Sequence, residues 1–348
     1  MDRVLRVLVV DDSAYVRKVV KQMLSRSPFI EVVGTAHDGE EALEMVEQLH
    51  PDVVTLDLMM PQMNGVEFLQ KQMARHPVPV VIVSIASDKS DMTLAALDAG
   101  AIDFVQKPTS LATEKVFEIN DELIEKVKAA ANVQLHRLPA VKHSEVKAAP
   151  PLLKISHSGL VDIVVLGIST GGPQALSFMI PQLPADLPVP VAIVLHMPVG
   201  YTEMFARRLD ELSPLKVIEA SEGDIVCPGV VLVAPAGRHM SFRRQADGVV
   251  VTHLDTRPLE KLHRPAVDVM FQSAAEVFGD RVLGVVMTGM GSDGKEGAAW
   301  IKSHGGRIFT EAEETCVVYG MPRSVVEAGL SDKSVPLPQM AQAILERL

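Results

Sequence analysis

The feature that most constrains this chain is a repeated alternation. Short runs rich in β-branched and aliphatic residues are each followed by a stretch whose apolar residues recur at helical spacing. In the first part the runs are LRVLVV (5–10), IEVVGTA (30–36), DVVTLDL (52–58), VPVVIVS (78–84) and DFVQ (103–106). Between them stand AYVRKVVKQMLSRS, DGEEALEMVEQLH, NGVEFLQKQMARH and SDMTLAALDAG. Such runs imply strands buried on both faces, hence a parallel sheet covered by helices. Asp38 is expected to cap a helix, with Glu40 and Glu41 in the first turn where the dipole favours negative charge.

The pattern stops near residue 133. NVQLHRLPAVKHSEVKAAPPLLKISHSG holds Lys, His, Ala and Pro without a sustained period and reads as a linker. Alternation resumes with VDIVVLG (161–167), PVAIVLH (190–196), LKVIEA (215–220), GVVLVAP (229–235) and RVLGVVMTG (281–289). GGPQALSFMIPQL, TEMFARRLDEL, AVDVMFQSAAEVFG and DGKEGAAWIKSHG read as helices, and GRHMSFRRQADGVVVTHLD as a hairpin around Asp247-Gly248. The expected fold class is α/β: two doubly wound parallel-sheet domains, flavodoxin-like over 1–132 and Rossmann-like with an added hairpin over 159–348, with a linker at 133–158.

A length of 348 residues allows two cores. No apolar run reaches the roughly 18 residues of a membrane span, and MDRVLRVLVVDDS lacks a small-residue cleavage site, so it reads as a first strand. Two distant cysteines, Cys227 and Cys316, exclude a disulfide framework and fit the cytoplasm. A net charge of −11 argues against general nucleic-acid binding, and the basic clusters RRLDE and RHMSFRR alternate with apolar residues as solvated faces do.

Ligands of open parallel sheets sit at the carboxyl ends of the strands. In the first half those ends collect Asp11, Asp12, Asp57, Ser84 and Lys107-Pro108. Converging carboxylates repel unless a cation neutralises them, and hard oxygen ligands suit Mg²⁺. With a hydroxyl and a lysine beside them, they suit phosphoryl transfer. Helix capping would explain Asp12 alone, not the set.

VVDDS, TLDLMMPQMNG, VSIAS and FVQKP make this half resemble a response-regulator receiver domain. The resemblance implies Asp57 as the phosphate acceptor and Mg²⁺ held by Asp11, Asp12, Asp57 and the carbonyl of Met59. It implies Ser84 and Lys107 as switch residues; Phe104 stands where the switch aromatic is often tyrosine, and buried core is an equal reading for it.

In the second half, VVLGISTGGPQ (164–174) fits two templates. One is a G-x-S-x-G nucleophile elbow and the other a phosphate cradle at a helix N-terminus. The dinucleotide form of the cradle needs a middle glycine and a later acidic strand end; here Ser169 takes the glycine's place and the next strand ends in His196. A serine needs a base, and His196 is expected at the same sheet edge. TGMGSDG brings Asp293 to another strand end, completing a Ser-His-Asp set, although capping the helix near Lys295 would also explain that aspartate. The order serine, histidine, aspartate argues against the α/β-hydrolase arrangement, in which histidine comes last, and His304 reads as a helix C-cap. Cys316 lacks a paired histidine; Tyr319, Met321 and Arg323 are expected to border the groove, with core packing at least an equal reading for the first two.

GISTGG, LHMP, CPGVVLVAPAGRHM, HRPAVD, TGMGSDG and CVVYGMPR make residues from about 160 onward resemble the receptor-modifying methylesterases of bacterial chemotaxis, the CheB family, and the order receiver, linker, esterase is the same. The resemblance implies that Ser169 attacks a receptor glutamate methyl ester, that His196 moves the proton and that Asp293 orients His196. The oxyanion donors are then expected at Met290 N–H and around Thr170 and Gly171. It also implies receptor glutamine deamidation, methyl-accepting chemoreceptors as substrates, a histidine kinase as phosphodonor, activation through Asp57, and no cofactor for the esterase step. Three other readings compete: a transcriptional regulator, which needs a basic recognition module not found here, a phosphate-binding regulator using GISTGG without covalent chemistry, and a degenerate receiver that only scaffolds.

Overall fold

A computed structural model describes residues 3–85, 90–107, 115–133 and 159–348. The chain divides into two compact units, Met1–Leu138 and Pro139–Leu348. The expected linker beyond Val133 and the expected Pro108 lie outside the described residues.

The first unit alternates strictly: β1 (Leu5–Val10), α1 (Ala14–Leu24), β2 (Ile30–Ala36), α2 (Gly39–Leu49), β3 (Val53–Leu56), α3 (Gly65–Arg75), β4 (Val80–Ile85), α4 (Ser90–Asp98), β5 (Asp103–Lys107) and α5 (Lys115–Ala130). The strands form one parallel sheet in the order β2-β1-β3-β4-β5. β3 is buried along its whole length, as a strand covered on both faces must be. Side chains start the helices: Asp38 accepts from Glu40 N–H and Glu41 N–H at 2.9 Å, and Asn64 with Glu67 forms a reciprocal capping box. The order reverses between β1 and β3, which places Asp11 and Asp57 at the switch point.

The second unit runs β6 (Ile163–Ile168), α6 (Gly172–Met179), β7 (Val191–Leu195), α7 (Thr202–Leu212), β8 (Lys216–Glu219), β9 (Val230–Val233), β10 (His239–Arg244), β11 (Val250–Asp255), α8 (Val267–Phe278), β12 (Val282–Val286), α9 (Lys295–Ser303), β13 (Arg307–Glu311), α10 (Met321–Glu327), β14 (Lys333–Val335) and α11 (Leu337–Arg347). Seven parallel strands stand in the order β14-β13-β12-β6-β7-β9-β8. β10 and β11 pair antiparallel, with Gly248 left-handed at the tip. The central strands β6, β7 and β12 are buried throughout, and Val165, Val194, Phe271, Val286 and Ile308 share one core cluster. From β6 the chain builds one side of the sheet through β7, then returns at β12 to build the other. The switch point therefore lies between β6 and β12, with β7 the other neighbour of β6.

Candidate functional site

In the first unit, carboxylate oxygens of Asp11, Asp12 and Asp57 all lie within 4.8 Å of one another. Lys107 Nζ stands 2.5 Å from Asp11 Oδ2 and 2.8 Å from Asp57 Oδ2. Asp11, Asp57 and Lys107 are buried, and Asp12 opens to solvent. Burial raises the Asp11 carboxyl above its ordinary value against the pull of Lys107. One ammonium against three carboxylates leaves an excess of negative charge on hard oxygens with an open side, a donor set that fits Mg²⁺ keeping several waters. Ser84, the last residue but one of β4, pairs with Gln106, one residue from Lys107. The Phe104 side chain points inward, 2% exposed, with Lys126 Nζ 5.6 Å from its ring centroid. Met59, two residues past Asp57, leaves its side chain exposed.

In the second unit, Ser169, His196 and Asp293 follow β6, β7 and β12 at one edge of the sheet. His196 N–H donates to Ile168 O at 3.1 Å, which locks the strand end carrying the imidazole to the residue before the serine. His196 Nε2 lies 2.8 Å from Asp293 Oδ2. His196 Nδ1 is buried and has no hydrogen-bond partner among the described residues. Ser169 Oγ makes no hydrogen bond among them either. Its backbone is held twice: Ser169 N–H donates to Thr288 O at 2.9 Å, and Ser169 O accepts from Gly172 N–H at 2.7 Å.

Asp293 is the best-anchored group here. Oδ2 also accepts Val267 N–H at 2.7 Å, and Oδ1 accepts Asp268 N–H at 2.9 Å. Burial alone would raise its pKa, but the His196 bond and those two amides outweigh burial and hold the carboxyl well below the usual range. Of the capping expected near Lys295, Asp293 supplies one bond, Oδ1 accepting Gly294 N–H at 3.0 Å, while its other two amide bonds go to α8. Asp293 caps α8, while Asp268 Oδ1 accepts Gly294 N–H and Gly297 N–H at 2.9 and 2.8 Å and caps α9. The two aspartates exchange helices because α8 and α9 start side by side at the strand ends.

A second difference concerns the elbow. Among the described residues only His50 and Gln62 are left-handed without being glycine, so Ser169 carries no such strain. The left-handed residue is Gly171, φ 78°, where a Cβ would strike Val317 at 2.5 Å. Thr170 is buried with its hydroxyl unpartnered, and Met290 N–H makes no hydrogen bond among the described residues. Gly289 lies so close to Ser169 that a Cβ there would meet Ser169 Cβ at 2.8 Å, which brings the Met290 turn against the serine.

The family model described as CheB methylesterase matches residues 164–344, and that for the response regulator receiver domain matches residues 7–116. A "Protein-glutamate methylesterase/protein-glutamine glutaminase 5" of Myxococcus xanthus is 47% identical over 344 residues, covering 99% of this chain and 97% of that one. The chain belongs to the CheB methylesterase family. Another family member, from Pyrococcus horikoshii, is 43% identical and covers 99% of this chain and 94% of its own. The CheB methylesterase catalytic domain of Thermotoga maritima superposes with a TM-score of 0.53 at 42% identity, over 54% of this chain and 99% of that domain.

Several residues around this CheB-family centre escape sequence reasoning. His263 stacks on the His196 ring, centroids 4.0 Å apart and planes at 21°. His239 is buried and pushed down in pKa by burial; Ala266 N–H donates to its Nδ1 at 3.1 Å, so its Nε2 donates to Pro258 O. Thr288 and Glu311 tie the serine loop to β13. HRPAVD, quoted for its family likeness, contains both His263 and Asp268; nothing in its spacing reveals the stack or the exchanged cap. Cys316 points its Sγ at Glu311 O, and burial pushes its thiol far above the ordinary range, so it is inert. Met321 is core, and Arg323 pairs outward with Glu327.

Proposed function

We propose that residues 159–348 are a methylesterase domain in which Ser169, His196 and Asp293 hydrolyse glutamate methyl esters on chemoreceptors, and that residues 1–132 are its receiver switch. The observation that carries the reading is the 2.8 Å bond from His196 Nε2 to Asp293, with the buried Nδ1 left free beside the serine's strand. Asp293 accepts a hydrogen bond from Nε2–H, which fixes the tautomer with Nδ1 as the base. Ser169 Oγ attacks the ester carbonyl as its proton passes to Nδ1. The tetrahedral oxygen develops negative charge against Met290 N–H and the amides around Thr170 and Gly171. Collapse breaks the acyl–oxygen bond, and methoxide leaves as methanol with the Nδ1 proton. Water, deprotonated by Nδ1, then cleaves the acyl-serine to glutamate and free serine. With glutamine the same steps release ammonia. The esterase residues need no cofactor for this chemistry.

In the receiver, Asp57 takes a phosphoryl group from a histidine kinase, and this raises esterase activity. Asp11, Asp12, Asp57 and the Met59 carbonyl would hold Mg²⁺, which would neutralise phosphoryl oxygens. Lys107 and Ser84 then bind the phosphoryl group and relay its presence, while Phe104, packed inward, follows their movement. The protein acts in the cytoplasm, with residues 133–158 as linker. Among the described residues no helix is long and apolar enough to cross a membrane.

A serine-directed fluorophosphonate tests the catalytic assignment. It is expected to modify Ser169 alone, with labelling lost in Ser169→Ala and slowed at least about 100-fold in His196→Gln. Labelling that survives in Ser169→Ala overturns it.

A further inference from the structure

We propose that Glu311 is a positioning residue of the esterase centre, its carboxyl clamping the Thr288 backbone N–H and, through that residue, the backbone of Ser169. This rests on the reading of Ser169 as nucleophile. Glu311 ends β13 and is fully buried. Its Oε2 accepts Thr288 N–H at 2.9 Å, while Thr288 O accepts Ser169 N–H at 2.9 Å, so one residue, through the peptide groups on either side of its Cα, joins the carboxyl to the serine. The Thr288 hydroxyl donates to Thr170 O at 2.9 Å and accepts Val318 N–H at 3.0 Å. Gly289 N–H donates to Val318 O at 3.0 Å, so the turn leading to Met290 hangs on the same residue. The second carboxyl oxygen, Oε1, meets Thr315 Oγ1 at 3.0 Å, and that hydroxyl accepts Leu337 N–H at 3.0 Å.

No Lys, Arg or His pairs with Glu311 among the described residues. The titratable side chain touching its backbone is the Cys316 thiol, with Glu313 and Tyr319 beyond. A charge buried without a counterion is avoided by taking up a proton. Burial accordingly pushes the carboxyl up to about 7. In the neutral form every group is matched. The carbonyl oxygen accepts from Thr288, the O–H donates to Thr315 Oγ1, and the Thr315 proton turns to Ala312 O, 3.3 Å away. Ionised, Glu311 places negative charge behind the turn that faces the developing oxyanion, which opposes the charge formed in the transition state. The clamp therefore positions best when protonated, and it should weaken acylation as pH rises through neutrality.

The test compares wild type, Glu311→Gln, Glu311→Leu and Ser169→Ala as full chains. The readouts are methanol release from methylated receptor, fluorophosphonate labelling of Ser169 from pH 6 to 9, and thermal melting. Glu311→Gln keeps the neutral pattern of bonds: its turnover at pH 6 should stay within about 2-fold of wild type, and the decline near pH 7 should vanish. Glu311→Leu cannot accept from Thr288, so kcat should fall at least about 10-fold with KM within about 2-fold. The proposal is overturned if Glu311→Gln retains the decline, or if Glu311→Leu melts like wild type and labels at the same rate. Should Glu311→Leu unfold, the pH profile of Glu311→Gln alone decides. Turnover surviving in Ser169→Ala sinks the serine reading instead, whatever Glu311 does.

Discussion

Replacing Gly167 by alanine should damage the edge of the sheet where Ser169 stands, by a route that a second substitution reverses. β6 passes beneath the first turn of α8, and a Cβ on residue 167 would lie 2.7 Å from Val267 Cγ2 and closer still to Cγ1. Carbon atoms at rest keep about 3.5–4.0 Å apart, so the overlap exceeds roughly 1 Å. Neither side has slack. Gly167 sits in the ladder between Val286 and Val194, and Val267 N–H is bonded to Asp293 Oδ2. Overpacking of this degree in a close-packed interior costs about 3 kcal/mol. A displaced Val267 drags Asp293, and with it His196, so turnover should fall at least about 10-fold.

Val267→Ala alone removes both clashing methyls and leaves a cavity, costing about 2 kcal/mol. In the double variant the new methyl meets only Val267 Cβ, at 3.1 Å, which a small shift relieves. The double variant should therefore be little less stable than Val267→Ala, with a coupling of about 2 kcal/mol. Trp300, the chain's one tryptophan, lies on α9 beside α8, so its fluorescence in urea follows this unit. Strict additivity, with the double variant losing the sum of both penalties, would refute the steric argument.

Further expectations follow from the same contacts. The Glu311 carboxyl sits near 7 in the fold against an ordinary 4.5, so the folded state binds its proton more tightly. Its contribution is fullest below pH 4.5 and declines by roughly 3 kcal/mol as pH rises through 7. Stability of Glu311→Gln relative to wild type should therefore improve from pH 5 to pH 8 in urea melts, and an unchanging difference would contradict the shift. His263→Ala leaves one face of the His196 ring unsupported; kcat should drop about 5-fold, with His263→Phe restoring most of it, and equal activity in both variants would remove the stack from the account. Acetyl phosphate should modify Asp57 only with Mg²⁺ present, at least about 10-fold more slowly in Asp12→Ala; labelling that persists with a chelator would exclude the acidic cluster as the metal site.

Much of this was legible in the chain itself, for identifiable reasons. Parallel strands buried on both faces must be unbroken apolar runs, so LRVLVV, VDIVVLG and PVAIVLH announce themselves, and each strand end then marks a candidate ligand position. That rule alone picks out Asp11, Asp57, Ser169 and His196. β13, α10 and β14 went unpredicted because RIFTE mixes charge into the run, MPRSVVE makes barely two turns, and KSV is too short to show a period. DVVTLDL marked a strand over 52–58, but only Val53–Leu56 pair, since the chain leaves the sheet to present Asp57. Contacts such as the exchanged caps of Asp268 and Asp293, or Glu311 on Thr288, join residues about 25 positions apart on separate strand–helix units. Only the packed sheet sets such distances. A buried glutamate closing the strand IFTE was the one local hint of the last.

The central claim is that a serine hydroxyl in the second unit performs the acyl transfer. Methanol released from methylated chemoreceptor, followed for wild type and Ser169→Ala with Asp57 phosphorylation monitored in both, tests it most directly. Release should drop to the enzyme-free background in Ser169→Ala while Asp57 is still phosphorylated. Release persisting at a substantial fraction of the wild-type rate would place the chemistry on another group.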